Sequence, residues 1–374
     1  MPRFAAMLVD GMKKRGHKVE VWTPGPFFFK IPLKKSLRKW LGYVDQYIIF
    51  PFQVKSRLRQ LTPDRLFVFT DQALGPWIPM VAGYPHVIHC HDFLAQRSAL
   101  GDVSENKNSW TGKKYQDYIR RGFRKGKNFI SVSENTRTDL QNFLEFAPVR
   151  SEVIYNGLNQ SFFPGNSNDA RISLGKQIEV DLTSGYILHV GGNQWYKNRK
   201  GVIEIYAAWR KSTDMKLPLL MVGGKPVKEL MDACEQLTFK SDVQWLWQMD
   251  DEQLQLAYKG ASVFLFPSLA EGFGWPIAEA MASGCPVITT NEPPMTEVSG
   301  TAGFFVNRRP ADKEAAEHWA VESAEVLEKV LMFSPEERQS AIENGLQNAS
   351  RFNSESTLDK IEEIYAGVLS SYSK

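Results

Sequence analysis

The sequence predicts an α/β fold built from parallel sheets in two domains. A chain of 374 residues exceeds the usual length of one domain and is long enough for two hydrophobic cores. Short apolar runs, each about the length of a strand buried on both faces, alternate with segments of helical spacing. One such unit reads as strand, loop, helix and strand, which is the repeating piece of a parallel α/β sheet.

This unit extends from Val263 to Thr290 and is the most informative stretch of the chain. Its first strand, Val263–Phe266, is followed by a glycine-rich turn over residues 271–274. Pro276 suits the start of a helix, where the missing N–H of proline costs nothing, and Gly284 suits its end. The turn therefore lies between the carboxyl end of a strand and the amino end of a helix, where open α/β sheets bind ligands.

Two carboxylates flank the turn. Glu271 lies at the end of the strand, and Glu279 lies one turn into the helix. The unpaired N–H groups at the start of a helix favour a phosphate, and glycine lets a ligand approach the backbone closely. An anion site beside two acceptors for hydroxyl groups fits a nucleotide sugar better than a metal or a general acid–base pair. The alternative is a purely structural role, as a loop cap and a first-turn acid.

The string from Glu271 through GFGWPIA to Glu279 resembles the E-x7-E motif of the family 4 glycosyltransferases. The segments FPS, EAMASGCPVI and AGFFV resemble the same family, and the similarity extends over nearly the whole chain. The resemblance implies the GT-B arrangement, in which two Rossmann-like, doubly wound domains face a cleft, and sugar transfer with retention of the anomeric configuration. It also implies that Glu271 contacts the donor sugar, that Glu279 holds the ribose, and that the loop N–H groups of Gly272, Phe273 and Gly274 hold the diphosphate.

The predicted strand HVIHCHD, residues 86–92, ends in His91 and Asp92. His89 and His91 share one face of this strand, so a metal site is one interpretation, although no third ligand converges on them in the sequence. Another interpretation is that these polar residues simply end the strand and have no catalytic or binding role. The resemblance implies a third, in which His91 and Asp92 lie near the donor sugar and the transferred bond and join Glu271 as catalytic residues.

The second domain is predicted to begin with a strand that ends at Gly191 and Gly192. The loop that follows carries Lys197 and Arg199, where positive charge would stabilise a departing nucleotide diphosphate. Solvated loop charge is the alternative. The resemblance implies that Lys197 matches the lysine of the family and that Arg199 replaces an arginine usually found nearer the glycines. It also places the base near Leu246 and Gln248.

The two parts of the chain differ in charge. Residues 1–150 contain 25 Lys and Arg against 12 Asp and Glu, whereas the remainder contains 20 and 30. A basic half suggests an anionic partner, and a membrane surface is favoured because no signature of nucleic-acid binding accompanies the charge. Within residues 30–60, the apolar positions share one helical face beside a basic cluster: Leu33, Leu37, Trp40, Leu41, Val44 and Ile48. This face has three possible interpretations: peripheral contact with an anionic membrane, packing of the helix on its own domain, and an acceptor site for phosphorylated or acidic glycans.

The start of the chain is unusual for this fold. Phe4, Leu8 and Met12 have helical spacing, and the residues His17–Trp22 alternate as a strand. A doubly wound domain normally opens with a strand and a loop, so we expect the first domain to lack its first strand. Residues 1–160 are expected to form the acceptor-side domain, residues 161–353 the nucleotide-sugar domain, and residues 354–374 a helix that crosses back to the first domain.

Together with these patterns, the resemblance implies a glycosyltransferase that moves a sugar from a nucleotide-sugar donor to a hydroxyl of a glycan or lipid-linked acceptor. Because the sequence has no Asp-x-Asp motif, we expect neither a metal nor another cofactor. Three scattered cysteines, the lack of a signal-peptide pattern and the lack of an apolar run of about 20 residues favour a cytoplasmic protein, with or without membrane association. The alternatives are a non-catalytic sugar-nucleotide-binding or scaffold protein, a glycan phosphorylase and a sugar-nucleotide epimerase.

Overall fold

The computed structural model describes residues 2–32, 34–61, 65–158 and 162–372 and contains two parallel α/β domains. The sheets formed by these residues have four and six strands, and every strand is parallel to its neighbours. Helices connect most successive strands, because parallel pairing needs a long crossover. The predicted fold class, two doubly wound α/β domains, is confirmed.

The first domain has short strands that follow the predicted apolar runs. They are β1 (Phe67–Phe69), β2 (His86–Cys90), β3 (Asn128–Ser131) and β4 (Arg150–Val153), and they pair in this order. The helices are α1 (Pro2–Lys14), α2 (Lys35–Val44), α3 (Phe50–Leu58), α4 (Leu94–Leu100), α5 (Trp110–Phe123) and α6 (Glu134–Phe143). A π-helical turn, Asp45–Ile49, joins α2 to α3.

The strand predicted over residues 17–22 is wrong. Residues 17–26 form no regular secondary structure. The Trp22 ring contacts the Phe67 ring of β1 at a centroid distance of 5.7 Å, and Val19 packs against the core. Most of the segment is exposed, so water can satisfy its backbone. Alternation of apolar residues does not make a strand unless a neighbouring strand supplies the hydrogen bonds of a ladder.

The second domain contains the rest of the regular elements. Its strands are β5 (Ile187–Gly191), β6 (Leu219–Gly223), β7 (Val243–Leu246), β8 (Val263–Phe266), β9 (Val287–Thr290) and β10 (Gly303–Val306). The helices after β4 are α7 (Ser167–Ile178), α8 (Arg199–Ser212), α9 (Lys228–Glu235), α10 (Asp251–Gly260), α11 (Trp275–Ala282), α12 (Met295–Ser299), α13 (Lys313–Leu331), α14 (Pro335–Ala349) and α15 (Ser354–Tyr372).

The strand order of this sheet is β10-β9-β8-β5-β6-β7. The order in which strands are added to the sheet therefore reverses between β5 and β8. This is the switch point at which open α/β sheets bind ligands, beyond the carboxyl ends of their strands. The loops that follow β5 and β8 are the two glycine-containing loops that are predicted to bind the donor. The topology makes them neighbours.

The last helix, α15, packs against the first domain. Leu358, Ile361 and Val368 are buried in one cluster with residues of α1 and of the first sheet. In the same contact, the Tyr365 hydroxyl lies 2.6 Å from Nε2 of His89. His89 is thus a core residue bonded to α15.

Candidate active site between the domains

Glu271 stands at the carboxyl end of β8 and is only 8% exposed. Nζ of Lys197 donates a hydrogen bond of 2.7 Å to its Oε1 atom, and the Ser268 hydroxyl lies 2.6 Å from the same oxygen. The Lys197 ammonium also lies 4.9 Å from the centroid of the Phe266 ring. Two residues predicted separately, Lys197 from the loop after β5 and Glu271 from the loop after β8, therefore form one buried ion pair at the switch point.

Glu279 lies in α11 and is 4% exposed. Its Oε1 atom accepts a hydrogen bond of 2.7 Å from Nη1 of Arg3, which belongs to the first domain. Its Oε2 atom accepts a hydrogen bond of 3.1 Å from the Tyr258 hydroxyl. The carboxylate predicted to hold the ribose thus has partners on both oxygens.

The turn itself touches the first domain. The Gly272 carbonyl accepts hydrogen bonds from the hydroxyls of Ser133 (2.7 Å) and Thr136 (3.1 Å) at the start of α6. A Cβ atom on Gly272 would lie 1.8 Å from the His91 carbonyl oxygen, so only glycine allows this approach. Gly272 is predicted to let a ligand approach closely, and in the structure it also lies against the backbone of the other domain.

The remaining residues of the turn have different surroundings. Phe273 is buried in the hydrophobic core of the second domain, which leaves its backbone rather than its side chain for a ligand. Gly274 is the N-cap of α11 and has φ = 103°, a conformation that favours glycine. The amino end of α11 is therefore shaped by backbone geometry, and its first-turn N–H groups are the donors that suit an anion.

His91 and Asp92 follow β2 and lie opposite the turn. Nε2 of His91 is 3.0 Å from the Thr70 carbonyl, which can only accept, so this nitrogen carries the ring proton. Burial lowers the pKa of His91 to about 4, and the imidazole is neutral near pH 7. Burial raises the pKa of Asp92 to about 6, and the negative charges of Asp71 and Glu271 add to the rise. Asp92 lies against the turn that follows Glu271, since a Cβ on Gly272 would be 2.9 Å from Cβ of Asp92.

Arg199, the first residue of α8, is 4% exposed and does not contact the two buried carboxylates in the structure. Its guanidinium donates to the Gly224 carbonyl at 2.7 Å and to the side chain of Asn193, and it lies 5.0 Å from the centroid of the Trp245 ring. Burial lowers the pKa of Arg199 to about 10, so it stays charged near pH 7. It lies at the ends of β6 and β7, on the side of the site predicted for the base.

The other predicted donor residues frame the same edge of the sheet. Gly191 ends β5 and is followed by Gly192, and the Gly191 backbone is so close to β6 that a Cβ on Gly223 would lie 2.1 Å from its oxygen. Leu246 ends β7 and is partly buried, whereas Gln248 is exposed. The structure therefore groups these residues around the carboxyl ends of three adjacent strands.

A cleft of about 330 Å³ opens between the domains beside Glu271. Arg97 and Glu105 line it from the first domain, and Arg308 lines it from the second. Arg308 donates a hydrogen bond of 2.8 Å to Glu105 and so links the two walls. Within the described ranges, no group of three His, Cys, Asp or Glu side chains could hold a metal ion, and the alternative metal site at His89 and His91 gains no third ligand.

Sequence reasoning missed four of these hydrogen bonds: Arg3 to Glu279, Tyr258 to Glu279, and the hydroxyls of Ser133 and Thr136 to the Gly272 carbonyl. Each joins residues more than 20 positions apart, and no local pattern indicates such a pair. The only available signal was Arg3 itself, a cation in the first turn of a helix, where the helix dipole disfavours positive charge.

Two family models match the chain, one after the other. The model described as Glycosyltransferase Family 4 matches residues 1–162, and the model described as Glycosyl transferases group 1 matches residues 171–348. Together they include both domains and both loops of the switch point.

Curated relatives resemble part of the chain. The O-antigen chain mannosyltransferase B of Escherichia coli is 33% identical over 171 residues, which are 45% of this chain and 42% of that protein. The O-antigen chain mannosyltransferase RfbU of Salmonella typhimurium is 26% identical over 211 residues, 56% of this chain and 54% of that protein. The chain thus matches about half the length of these two relatives.

Solved structures resemble almost the whole chain. WaaG, a glycosyltransferase involved in lipopolysaccharide biosynthesis, has a TM-score of 0.70 at 21% identity, with coverage of 98% of this chain and 95% of its own. Anabaena HepE in complex with UDP and glucose has a TM-score of 0.68 at 19% identity, with coverage of 95% and 88%. Likeness at this identity shows the shared two-domain GT-B fold.

Proposed function

We propose, on the premise that the chain belongs to the family 4 glycosyltransferases, that it transfers a sugar from a nucleotide sugar to a hydroxyl of a glycan or lipid-linked acceptor. The observation that carries this proposal is the pair of buried carboxylates, Glu271 and Glu279, on either side of the α11 amino end at the switch point. Each holds a cation, so the site combines hydroxyl acceptors with positive charge for a diphosphate.

In this proposal the donor lies along the turn after β8. Glu271 accepts hydrogen bonds from the sugar, Glu279 accepts them from the ribose, and the N–H groups of residues 272–274 face the diphosphate. The base lies near Leu246 and Gln248, with Gly191 and Gly192 beneath the nucleotide. His91 and Asp92 supply the first-domain wall of the sugar site, which agrees with their close approach to Gly272 in the turn.

We propose retention of the anomeric configuration by substitution on one face of the sugar. The acceptor oxygen bonds to the anomeric carbon on the side from which the diphosphate leaves, the bond between that carbon and the phosphate oxygen breaks, and the acceptor proton passes to the leaving phosphate. Lys197 and the α11 N–H groups stabilise the negative charge that develops. A bound metal is not part of this proposal, because side-chain cations and backbone donors supply the charge.

Thermal unfolding with UDP, GDP, ADP and their sugars, with and without EDTA, tests the donor site. A ligand at 100 times its dissociation constant adds about 2.7 kcal/mol to the free energy of unfolding. We expect stabilisation by the nucleotides of one base, unchanged by EDTA. Loss of the effect in EDTA would contradict the metal-free site, and no effect from any nucleotide would contradict the donor site.

Two variants separate the roles of the carboxylates. Glu279→Ala should weaken binding of the free nucleotide by roughly tenfold, about the effect of one lost charged hydrogen bond. Glu271→Ala should change free-nucleotide binding less and should weaken the preference between nucleotide sugars. Glu325→Ala, at an exposed position of α13, is the matched control. Unchanged nucleotide affinity in both variants would contradict the placement.

The two O-antigen relatives are mannosyltransferases by name, so mannose is the first hexose to test. The assay follows transfer from GDP- and UDP-hexoses to lipid-linked sugars and to surface polysaccharide precursors. Product with the anomeric configuration of the donor supports the proposal, and inversion contradicts retention. Tight nucleotide binding without transfer to any acceptor would favour the scaffold alternative, and phosphate-dependent donor cleavage would favour the phosphorylase.

We further propose that an aromatic and basic surface of residues 27–59 contacts an anionic membrane from one side. Among the described residues, no helix is long and apolar enough to cross a membrane. Leu33 and the Leu37 side chain lie outside the described part of the chain, Leu41 and Val44 are partly buried, and Trp40 and Ile48 are exposed. The predicted face is thus turned partly outward.

The outward position of these side chains is built into the fold. The carboxylate of Asp45, which is 3% exposed, accepts hydrogen bonds of 2.9 Å from the backbone N–H groups of Phe28 and Phe29. These bonds fix the loop that contains Phe27, which is 71% exposed, and Trp40 on α2 is 68% exposed. Aromatic rings beside lysine and arginine suit a lipid interface, and each basic residue adds about 1 kcal/mol on an anionic surface.

Sedimentation with vesicles of phosphatidylcholine, with and without phosphatidylglycerol, tests this contact. We expect binding only to the anionic vesicles and its loss in a Phe27→Ser, Trp40→Ser double variant. Val149→Ser, at a position that is 76% exposed elsewhere in the first domain, is the control. Equal binding to both vesicle types, or none to either, would contradict the proposal.

A further inference from the structure

Arg3 reaches from α1 into the second domain. Its Nη1 atom is 2.7 Å from Oε1 of Glu279, and its guanidinium carbon is 5.1 Å from the centroid of the Trp275 ring. The Arg3 side chain is 45% exposed, whereas the Glu279 side chain is 5% exposed. A negative charge near the amino end of a helix is favourable, but the first turn of α1 contains no acidic residue. Glu279 of the second domain supplies this negative charge instead.

The two partners of Glu279 differ in their freedom to leave. Tyr258 is fully buried, and its ring packs edge-on against the Phe264 ring at 5.5 Å. Arg3 is half exposed and extends from the first turn of its helix. A ribose hydroxyl that binds Glu279 therefore displaces Arg3 rather than Tyr258.

Once displaced from Glu279, the Arg3 guanidinium is close to the position proposed for the donor diphosphate. Trp275, on which it rests, is the first residue of α11, and the N–H groups at this helix end are those assigned to the diphosphate. Nε and Nη2 of Arg3 make no hydrogen bond to any residue that the structure describes. A planar guanidinium can bind phosphate through two parallel hydrogen bonds, which an ammonium cannot do.

We propose that Arg3 is a ligand of the donor diphosphate that exchanges Glu279 for the diphosphate when the nucleotide binds. Before binding, Arg3 neutralises the buried carboxylate. After binding, ribose hydroxyls occupy the carboxylate, and the guanidinium neutralises the diphosphate. The inference rests on the proposed function and adds a first-domain residue to the nucleotide contacts, which otherwise come from the second domain, so that nucleotide binding joins the two domains.

Calorimetric titration with UDP, UMP and uridine, and with GDP, GMP and guanosine, tests the exchange. In Arg3→Gln we expect affinity for the diphosphate to fall at least tenfold, while affinity for the nucleoside stays equal or rises because Glu279 is released. Arg3→Lys should recover part of the loss, since it restores the charge without the paired donors. Arg15→Gln is the control, because Arg15 also forms ion pairs, with Glu355 and Asp359, but away from the donor site.

The outcomes distinguish this inference from the proposed function. If the unmodified protein binds none of these nucleotides, the proposed function fails. If it binds a diphosphate and Arg3→Gln binds it equally well, the exchange is overturned and the proposed function stands. An equal loss of affinity for nucleoside and diphosphate also overturns the exchange, because Arg3 would then only maintain the shape of the site.

Discussion

Replacing Gly272 by alanine tests whether contact between the turn and the first domain is needed for activity. The added Cβ atom would lie 1.8 Å from the His91 carbonyl oxygen and 2.9 Å from Cβ of Asp92. The φ angle of Gly272 lies outside the left-handed region, so alanine imposes no backbone strain of its own. Any effect of this substitution is therefore steric and acts between the domains.

The size of the effect follows from the contacts. A carbon and an oxygen approach to about 3.3 Å, so the turn and the end of β2 must separate by roughly 1.5 Å. The hydrogen bonds from Ser133 (2.7 Å) and Thr136 (3.1 Å) to the Gly272 carbonyl then exceed bonding distance. Overpacking costs about 1–3 kcal/mol, and two lost hydrogen bonds add about 0.5–1.5 kcal/mol each.

The assay compares sugar transfer, nucleotide affinity and thermal unfolding in Gly272→Ala. A misplacement of about 1 Å between reacting groups costs roughly 100-fold in rate, so kcat should fall by about this factor. Nucleotide affinity should fall less, because most of its proposed contacts lie within the second domain. Gly83→Ala is the control, since a Cβ there meets nothing within 4 Å. Activity and stability equal to those of the control would refute the reasoning.

Three further substitutions give separate expectations. Asp92→Asn should raise the free energy of unfolding above pH 6 by up to about 3 kcal/mol and leave it unchanged below pH 4. The reason is that folding raises the pKa of Asp92 from 3.8 to about 6, so the ionised carboxylate destabilises the folded state. Denaturant unfolding between pH 4 and pH 7 measures the effect. Glu297→Ala should lower stability by about 1 kcal/mol relative to Glu325→Ala, because Glu297 accepts hydrogen bonds of 2.8 Å from the N–H groups of Glu134 and Asn135 across the domain boundary. Tyr365→Phe should cost about 1–3 kcal/mol in thermal unfolding, because Nε2 of buried His89 loses its 2.6 Å partner.

The fold could be predicted because its signals are local. The strands appear as short apolar runs, and Ser133, Ser334 and Asp250 cap their helices with side-chain hydrogen bonds, as residues of these types do at helix starts. The strand predicted at Val263–Phe266 has these bounds in the structure, and the strand predicted over residues 86–92 ends two residues earlier, at Cys90. The strand predicted over residues 17–22 fails for a different reason. A strand forms only beside a neighbouring strand, and the sequence of this segment alone does not show whether one is present.

The site could be predicted only in part. The chain spacing placed Glu271 and Glu279 around one turn, and the topology of parallel sheets placed Lys197 nearby. The sequence could not show that Lys197 bonds to Glu271 at 2.7 Å or that the Arg199 side chain bonds to the Gly224 carbonyl, because both contacts depend on the directions of the side chains. The partner of Glu279 from the first domain depends on how the two domains meet, which no segment of sequence specifies by itself.

Two residues with unpaired buried polar atoms, His189 and Arg199, lie at this edge of the second sheet. His189 donates from Nδ1 to the Leu265 carbonyl, and its buried Nε2 has no partner among the described residues. Nε and Nη2 of the buried Arg199 are also without a partner in the described part of the chain. A buried polar group without a hydrogen bond costs about 1–3 kcal/mol, and folded proteins retain such groups mainly where a ligand or water satisfies them. Both residues lie beneath the loop that begins at Gly191, so the local deficit of hydrogen bonds favours the same position for the donor as the two buried carboxylates do.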